Sequence, residues 1–230
     1  MDRTVKGVLN FRQHIYPKNK DLFGTLADGQ SPRVLFITCS DSRVDPNMVT
    51  GSAPGDLFIC RNAGNVVPPP ASVTGGMTAS IEYAVAVLEV KHIIVCGHTD
   101  CGAVKGALDI EAIKQQGLPH VKEWLGHCRS AMDIVRERHD IPRNDPIDPC
   151  HLDEAIRQNV LQQIQHLRTH PSVAAKLATN KVELHGWVYN IKTGDIECSN
   201  TDLTDFVPFA ERYEDLIIKA QQEQQAEQQP

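Results

Sequence analysis

The chain has 230 residues, 41% of them hydrophobic, and a formal charge of −6. That length supports one well-buried core, and the acidic balance leaves no basic surplus to release counterions from phosphates, which excludes nucleic acid and anionic lipid as main partners. No stretch approaches the roughly 20 apolar residues of a membrane span, and residues 1–20 have no apolar core of the signal-peptide kind, so a soluble, unexported protein is expected.

In chain order, residues 1–28 set Val5, Val8, Leu9 and Phe11, then Leu22, Phe23 and Leu26, at amphipathic helical spacing, with a break near Tyr16-Pro17. This predicts a helical arm that either packs on its own domain or reaches to a neighbouring subunit. After a turn at residues 28–32 comes Val34-Leu35-Phe36-Ile37, continuous rather than alternating, as in a strand buried on both faces of a parallel sheet. A second such strand, residues 57–60, ends in Arg61-Asn62-Ala63-Gly64-Asn65, and three prolines follow shortly after. Residues 74–90 read as a helix with Ile81, Ala84, Val85 and Leu88 on one face, and residues 92–96 as a third strand. Strand, helix and strand in this order describe a right-handed crossover.

Helical patterns follow over residues 102–115, 121–138 and 152–167, with a short helix expected at 173–178. Residues 182–189 and 195–198 read as a strand and its return around Lys192-Thr193-Gly194. The fold class expected is therefore α/β: a central, mainly parallel four-stranded sheet with an added C-terminal edge strand, flanked by helices and preceded by the arm. The expected division is arm 1–28, catalytic domain 29–200 and extension 201–230, the last ending in a Gln- and Glu-rich run from residue 221 that reads as a mobile or interacting tail.

Seven cysteines, at 39, 60, 96, 101, 128, 150 and 198, form no regular spacing, which suggests reduced thiols. Cys60 and Cys96 sit in apolar runs and read as small buried hydrophobes. Cys128 and Cys150 each adjoin a histidine, but their neighbours point to opposite sides of a helix, which argues against a second metal site there. Two segments stand apart. Cys39-Ser40-Asp41-Ser42-Arg43 and His98-Thr99-Asp100-Cys101 each follow a buried strand, the place where open α/β sheets set their ligands. Cys39, His98 and Cys101 suit zinc. Asp41 either closes the coordination or pairs with Arg43 and leaves the fourth position to water, which zinc would acidify.

These two segments, together with Arg61-Asn62-Ala63-Gly64-Asn65 and in this order and separation, resemble the β-class carbonic anhydrases over about residues 20–200, in particular their plant and cyanobacterial branch. The resemblance implies reversible hydration of CO2 to bicarbonate and a proton by a zinc-bound hydroxide, with Cys39, His98 and Cys101 as ligands and Asp41 and Arg43 orienting the hydroxide. It implies that Gln30 serves the site of a second subunit by bonding a substrate oxygen, hence a homodimer or an assembly of dimers. Phe58, Ala63, Tyr83 and Gly102 fall where the family places its small pocket. The other branch closes its site with Asp41's counterpart and uses a tryptophan near the first strand; Phe36 and Thr38 stand there, so Asp41 is expected off the metal. The segment after Cys198 resembles the extension of carboxysomal members, which implies a cytoplasmic, carboxysomal location and a scaffold partner.

Rival readings are a structural zinc protein, a scaffold-binding protein, and a zinc hydrolase of CS2 or COS on the same fold. The first predicts a fourth Cys or His near the other three. His92, His120, His139 and His185 read as surface or core fillers rather than ligands, Trp124 and Trp187 as packing, and Arg61 as tying its loop to a carboxylate.

Overall fold

The structure is a computed structural model and describes residues 1–70 and 75–227. Its centre is one sheet in the order β2-β1-β3-β4-β5-β6, formed by β1 (Val34–Cys39), β2 (Leu57–Asn62), β3 (His92–His98), β4 (Glu183–Tyr189), β5 (Ile196–Ser199) and β6 (Phe206–Pro208). The first four are mutually parallel, as the continuous apolar runs of β1, β2 and β3 lead one to expect, and β5 and β6 add antiparallel at one edge. The sixth strand exceeds the single edge strand expected; three residues ending in Pro208 are too short to show an alternation.

The helices are α1 (Asp2–Asn10), α2 (Lys20–Ala27), α3 (Pro46–Thr50), α4 (Gly76–Glu82), α5 (Gly102–Leu108), α6 (Ile110–Gln115), α7 (Pro119–Leu125), α8 (Arg129–Arg138), α9 (Leu152–Thr169), α10 (Pro171–Leu177), α11 (Phe209–Arg212) and α12 (Glu214–Glu227). Two expected helices are each divided. Asp109 separates α5 from α6, because its carboxylate caps the amide of Ala112 at 3.0 Å. A tight turn at Gly126–Cys128 separates α7 from α8. The expected helix over 74–90 appears as α4 and a wider π-turn, Tyr83–Val87, that ends where Glu89 adopts φ 55°; its expected first residue, Thr74, lies outside the described residues. Helix α12 continues into the Gln-rich segment as far as Glu227, and residues 228–230 lie outside the described residues.

The main core lies on the sheet face carrying Leu35, Ile37, Ile93 and Val95, covered by Ile156, Val160, Ile164 and Leu167 of α9. Helix α9 approaches closely because β3 and β4 present Gly97 and Gly186 to it; a Cβ at Gly97 would stand 2.8 Å from Val160 Cγ2. On the other face Phe36, Ile94 and Cys96 pack with Trp187, while Cys60 and Cys96 are buried as expected. The arm holds itself together through the rings of Phe11, Tyr16 and Phe23, and none of α1 is buried: Val5, Val8 and Leu9 all face outward. No helix among the described residues is long and apolar enough to cross a membrane.

Candidate active site

Parallel pairing puts the carboxyl ends of β1 and β3 side by side, so their last residues, Cys39 and His98, become neighbours. Two residues beyond β3, Asp100 adopts φ 54° and reverses the chain, which sets Cys101 as the extended residue that opens α5. The sulfurs of Cys39 and Cys101 lie 3.9 Å apart, and with a His98 ring nitrogen all three ligating atoms fall within 4.8 Å of one another. All three residues are buried.

The local hydrogen bonds leave this cluster ready for a cation. His98 Nδ1 donates to the carbonyl of Thr99 at 2.9 Å, so Nε2 carries the lone pair, and Nε2 is buried without any protein partner. A buried, unpartnered ring nitrogen is costly unless something occupies the space before it. The Cys101 thiol beside Cys39 and the amide of Gly64, 3.4 Å from Sγ, hold the Cys39 thiol below its ordinary range against the effect of burial. The resulting thiolate pushes Cys101 upward, so one proton serves two sulfurs. A divalent metal would replace that proton and accept the lone pair of His98, and two sulfurs with one imidazole are a donor set that suits zinc. Cys39, His98 and Cys101 therefore fit the metal.

Asp41 stands beside the cluster with Oδ2 3.9 Å from His98 Nε2. Arg43 grips its carboxylate twice, Nε to Oδ1 at 3.0 Å and Nη2 to Oδ2 at 2.8 Å, and adds its own amide at 2.9 Å. These bonds hold the Asp41 carboxyl well below the usual carboxylate range. The same guanidinium reaches Asp100, Nη1 to Oδ2 at 3.0 Å and Nη2 to the carbonyl at 3.1 Å. Arg43 thus joins the two ligand-bearing loops. Arg61 has the structural part expected of it but a different partner: it donates to the carbonyls of Cys39 and Asp41, at 3.1 and 2.7 Å, and not to a carboxylate.

The other expected residues are less gathered. Phe58 and Tyr83 come within 6.1 Å, ring centre to ring centre, while Ala63, Tyr83 and Gly102 are exposed in the single chain. Gln30 is exposed in the loop before β1, at the end of that strand opposite Cys39. Sequence reasoning gave no role to Gly64 or Asp100. The adjacency of Asp100 to Cys101 was the available signal for the second, whereas a backbone amide aimed at sulfur leaves none.

A family model described as carbonic anhydrase matches residues 34–196, which takes in Cys39, His98 and Cys101. The chain belongs to the β-class carbonic anhydrase family. It is 42% identical over 206 residues to the carbonic anhydrase of Synechococcus elongatus, covering 89% of this chain and 74% of that one. Among solved structures, the β-carbonic anhydrase CcaA superposes with a TM-score of 0.84 at 41% identity, over 90% of this chain and 98% of the other. A β-carbonic anhydrase of Sordaria macrospora, one of two described as tetrameric, superposes with a TM-score of 0.72 at 30% identity, over 90% and 98%. As a β-class carbonic anhydrase this chain is an enzyme, a lyase acting on CO2. The mainly parallel sheet, antiparallel edge and N-terminal helical arm of this chain match the fold of β-carbonic anhydrase structures.

Proposed function

We propose that the chain hydrates CO2 reversibly at a zinc ion held by Cys39, His98 and Cys101, with the fourth position left open. The observation that carries this is His98 Nε2, buried and unpartnered before two sulfurs, beside a carboxylate already committed to Arg43. Among the described residues the metal-ligating group contains no fourth Cys or His, which disfavours a closed structural site. When bound, zinc supplies an acidified water as nucleophile near neutral pH. Arg43 keeps Asp41 ionised, so its carboxylate would accept a hydrogen bond from an attacking water and orient it toward the substrate. Phe58 and Tyr83 offer apolar wall suited to linear, uncharged CO2, with Ala63 and Gly102 completing the pocket.

Gln30, at the far end of β1 from its own Cys39, serves the pocket of a second copy by donating to a substrate oxygen, so the active form is a dimer or an assembly of dimers. The outward apolar stripe of α1 supports this. The division into arm 1–28, body 29–200 and extension 201–230 belongs to the same reading, with β6 of the extension pairing onto the body's sheet. The same reading takes the resemblance of the segment after Cys198 to carboxysomal extensions as the ground for a cytoplasmic, carboxysomal placement with a scaffold bound through the extension. A fluorescent fusion in a carboxysome-forming cell tests that placement: foci are expected, and diffuse signal counts against it. Stopped-flow CO2 hydration with and without a zinc chelator tests the chemistry; activity lost with zinc and restored by it is expected, and a zinc-loaded chain inert toward CO2 refutes it.

A further inference from the structure

We propose a second, separate metal site formed by His92, Glu183 and His185, which takes a divalent cation of the zinc class. Parallel pairing sets His92 opposite Glu183 and Ile94 opposite His185, so alternate positions at the amino ends of β3 and β4 project from one face. There His92 Nδ1 and His185 Nε2 lie 3.2 Å apart, and Glu183 Oε2 stands 3.5 Å from the first and 3.8 Å from the second. Tetrahedral zinc with bonds of about 2.0–2.2 Å has edges of about 3.3–3.6 Å between ligand atoms. The triangle is therefore already close to one face of that tetrahedron.

The surroundings support the assignment. Tyr213 Oη accepts Trp187 Nε1 at 3.1 Å and lies 3.2 Å from His185 Nδ1; with Nδ1 donating to that oxygen, a metal would take the place of the proton that His185 Nε2 and His92 Nδ1 share, the outer arrangement common behind zinc-binding imidazoles. Glu183 has no lysine or arginine ion pair among the described residues. In the comparable trio of His139, His151 and Glu154, Arg138 already holds the carboxylate at 2.9 Å. The cluster opens on a cavity of about 890 Å3 under α11 and α12, whose lining adds Glu211, Glu214 and Asp215 against Arg212. That excess of negative charge favours a cation. Two imidazoles and a carboxylate, without sulfur, select Zn2+, Co2+, Ni2+ or Cu2+ over Ca2+ or Mg2+. His92 and His98 begin and end one strand, about 20 Å apart at the usual rise per residue, so the site is distinct from the Cys39 cluster. Three protein ligands leave one position facing the cavity. The metal would tie the start of β3 to β4 and, through Tyr213, to the C-terminal helices.

The test is calorimetric titration of the zinc-replete enzyme with ZnCl2 alone. One further equivalent per chain is expected in the wild type and in Cys150→Ser, and none in the double variant His92→Asn/Glu183→Gln, whose CO2 hydration rate should be unchanged. Tyr213→Phe should retain the equivalent with affinity weakened about 10–100-fold. No further equivalent in the wild type, or one retained in full by the double variant, overturns the proposal. So does its loss on His139→Asn with His92 and Glu183 intact. Should the double variant fail to fold, Glu183→Gln alone, at a side chain 70% exposed, decides through the same titration: affinity at least tenfold weaker supports the site, and unchanged affinity overturns it.

Discussion

Asp41 and Cys39 are two residues apart, yet their surroundings assign them different work. The Cys39 thiol is held down by Cys101 and the Gly64 amide, both of which favour a thiolate and hence a metal. The Asp41 carboxylate is held by Arg43 instead. Cys39→Ser should therefore abolish zinc retention after dialysis, while Asp41→Asn keeps zinc and loses most CO2 hydration, by about 100-fold if it removes a group that orients the nucleophile. Metal analysis beside stopped-flow rates checks this, and equal zinc loss in both variants would contradict the division. At this scale the three ligand candidates were legible because each follows a buried strand in a motif with few other uses. The partners of Arg43 were half legible: Asp41 is local in sequence, whereas Asp100 depends on a left-handed backbone at φ 54° that composition does not announce. The aim of Arg61 was misread because backbone carbonyls are available everywhere and carry no sequence signature.

The ligands are only as well placed as the elements that end in them. Helix α9 seats on β3 and β4 over two glycines: a Cβ at Gly97 would meet Val160 Cγ2 at 2.8 Å, and one at Gly186 would meet Ile164 and Val160 at 3.0 Å each. Both alanine variants should lose about 1–3 kcal/mol from overpacking, read from urea midpoints. Gly97→Ala, next to His98, should also release zinc faster, whereas Gly186→Ala, on a strand without a proposed catalytic ligand, should not. The same helix fastens the loop after β2: His166 Nδ1 bonds the carbonyl of Val67 at 2.8 Å, and beyond α9 His170 Nε2 bonds that of Pro68 at 2.9 Å. Burial holds both imidazoles below their usual range, so they fold neutral. The unfolded chain takes up their protons first, near pH 6.5. Their contribution is complete above that pH and shrinks as pH falls from there toward the lowered native values. The wild-type urea midpoint should drop between pH 7.5 and 5, and His170→Asn should drop less; an identical decline would remove His170 from this account. Strands β1, β2 and β3 were legible from continuous apolar runs and β4 from the turn and return that follow it, but the breaks within helical stretches were not, since Asp109 and Gly126 interrupt a periodicity that continues on both sides. Strand β6 was illegible for the opposite reason, having too few residues to establish any period.

At the scale of the molecule, one chain leaves unfinished business at its amino end. Val5, Val8 and Leu9 are each about half exposed, at 51%, 53% and 46%, on a helix with no buried residue. Such a stripe is unfavourable in water, and burying it at roughly 25 cal/mol per Å2 is the simplest way to recover that free energy. The arm's aromatic triplet, Phe11 with Tyr16 and Phe23, keeps it a preformed unit rather than a loose tail, so little ordering entropy opposes docking onto a second copy. Gln30 sits at the root of the arm and on the wrong end of β1 for its own metal ligands. If Gln30 serves a second copy as proposed, assembly and catalysis are coupled through one short segment. Deleting residues 2–15 should yield a folded, zinc-loaded chain that sediments as a monomer and hydrates CO2 poorly, because the cluster at the strand ends is intact while the pocket lacks its borrowed amide. Gln30→Ala should keep the native assembly and lower kcat/KM, which separates the amide from the dimer. An arm-deleted monomer with full activity would show that the pocket is complete within one chain, and the exposed stripe would then need another reason.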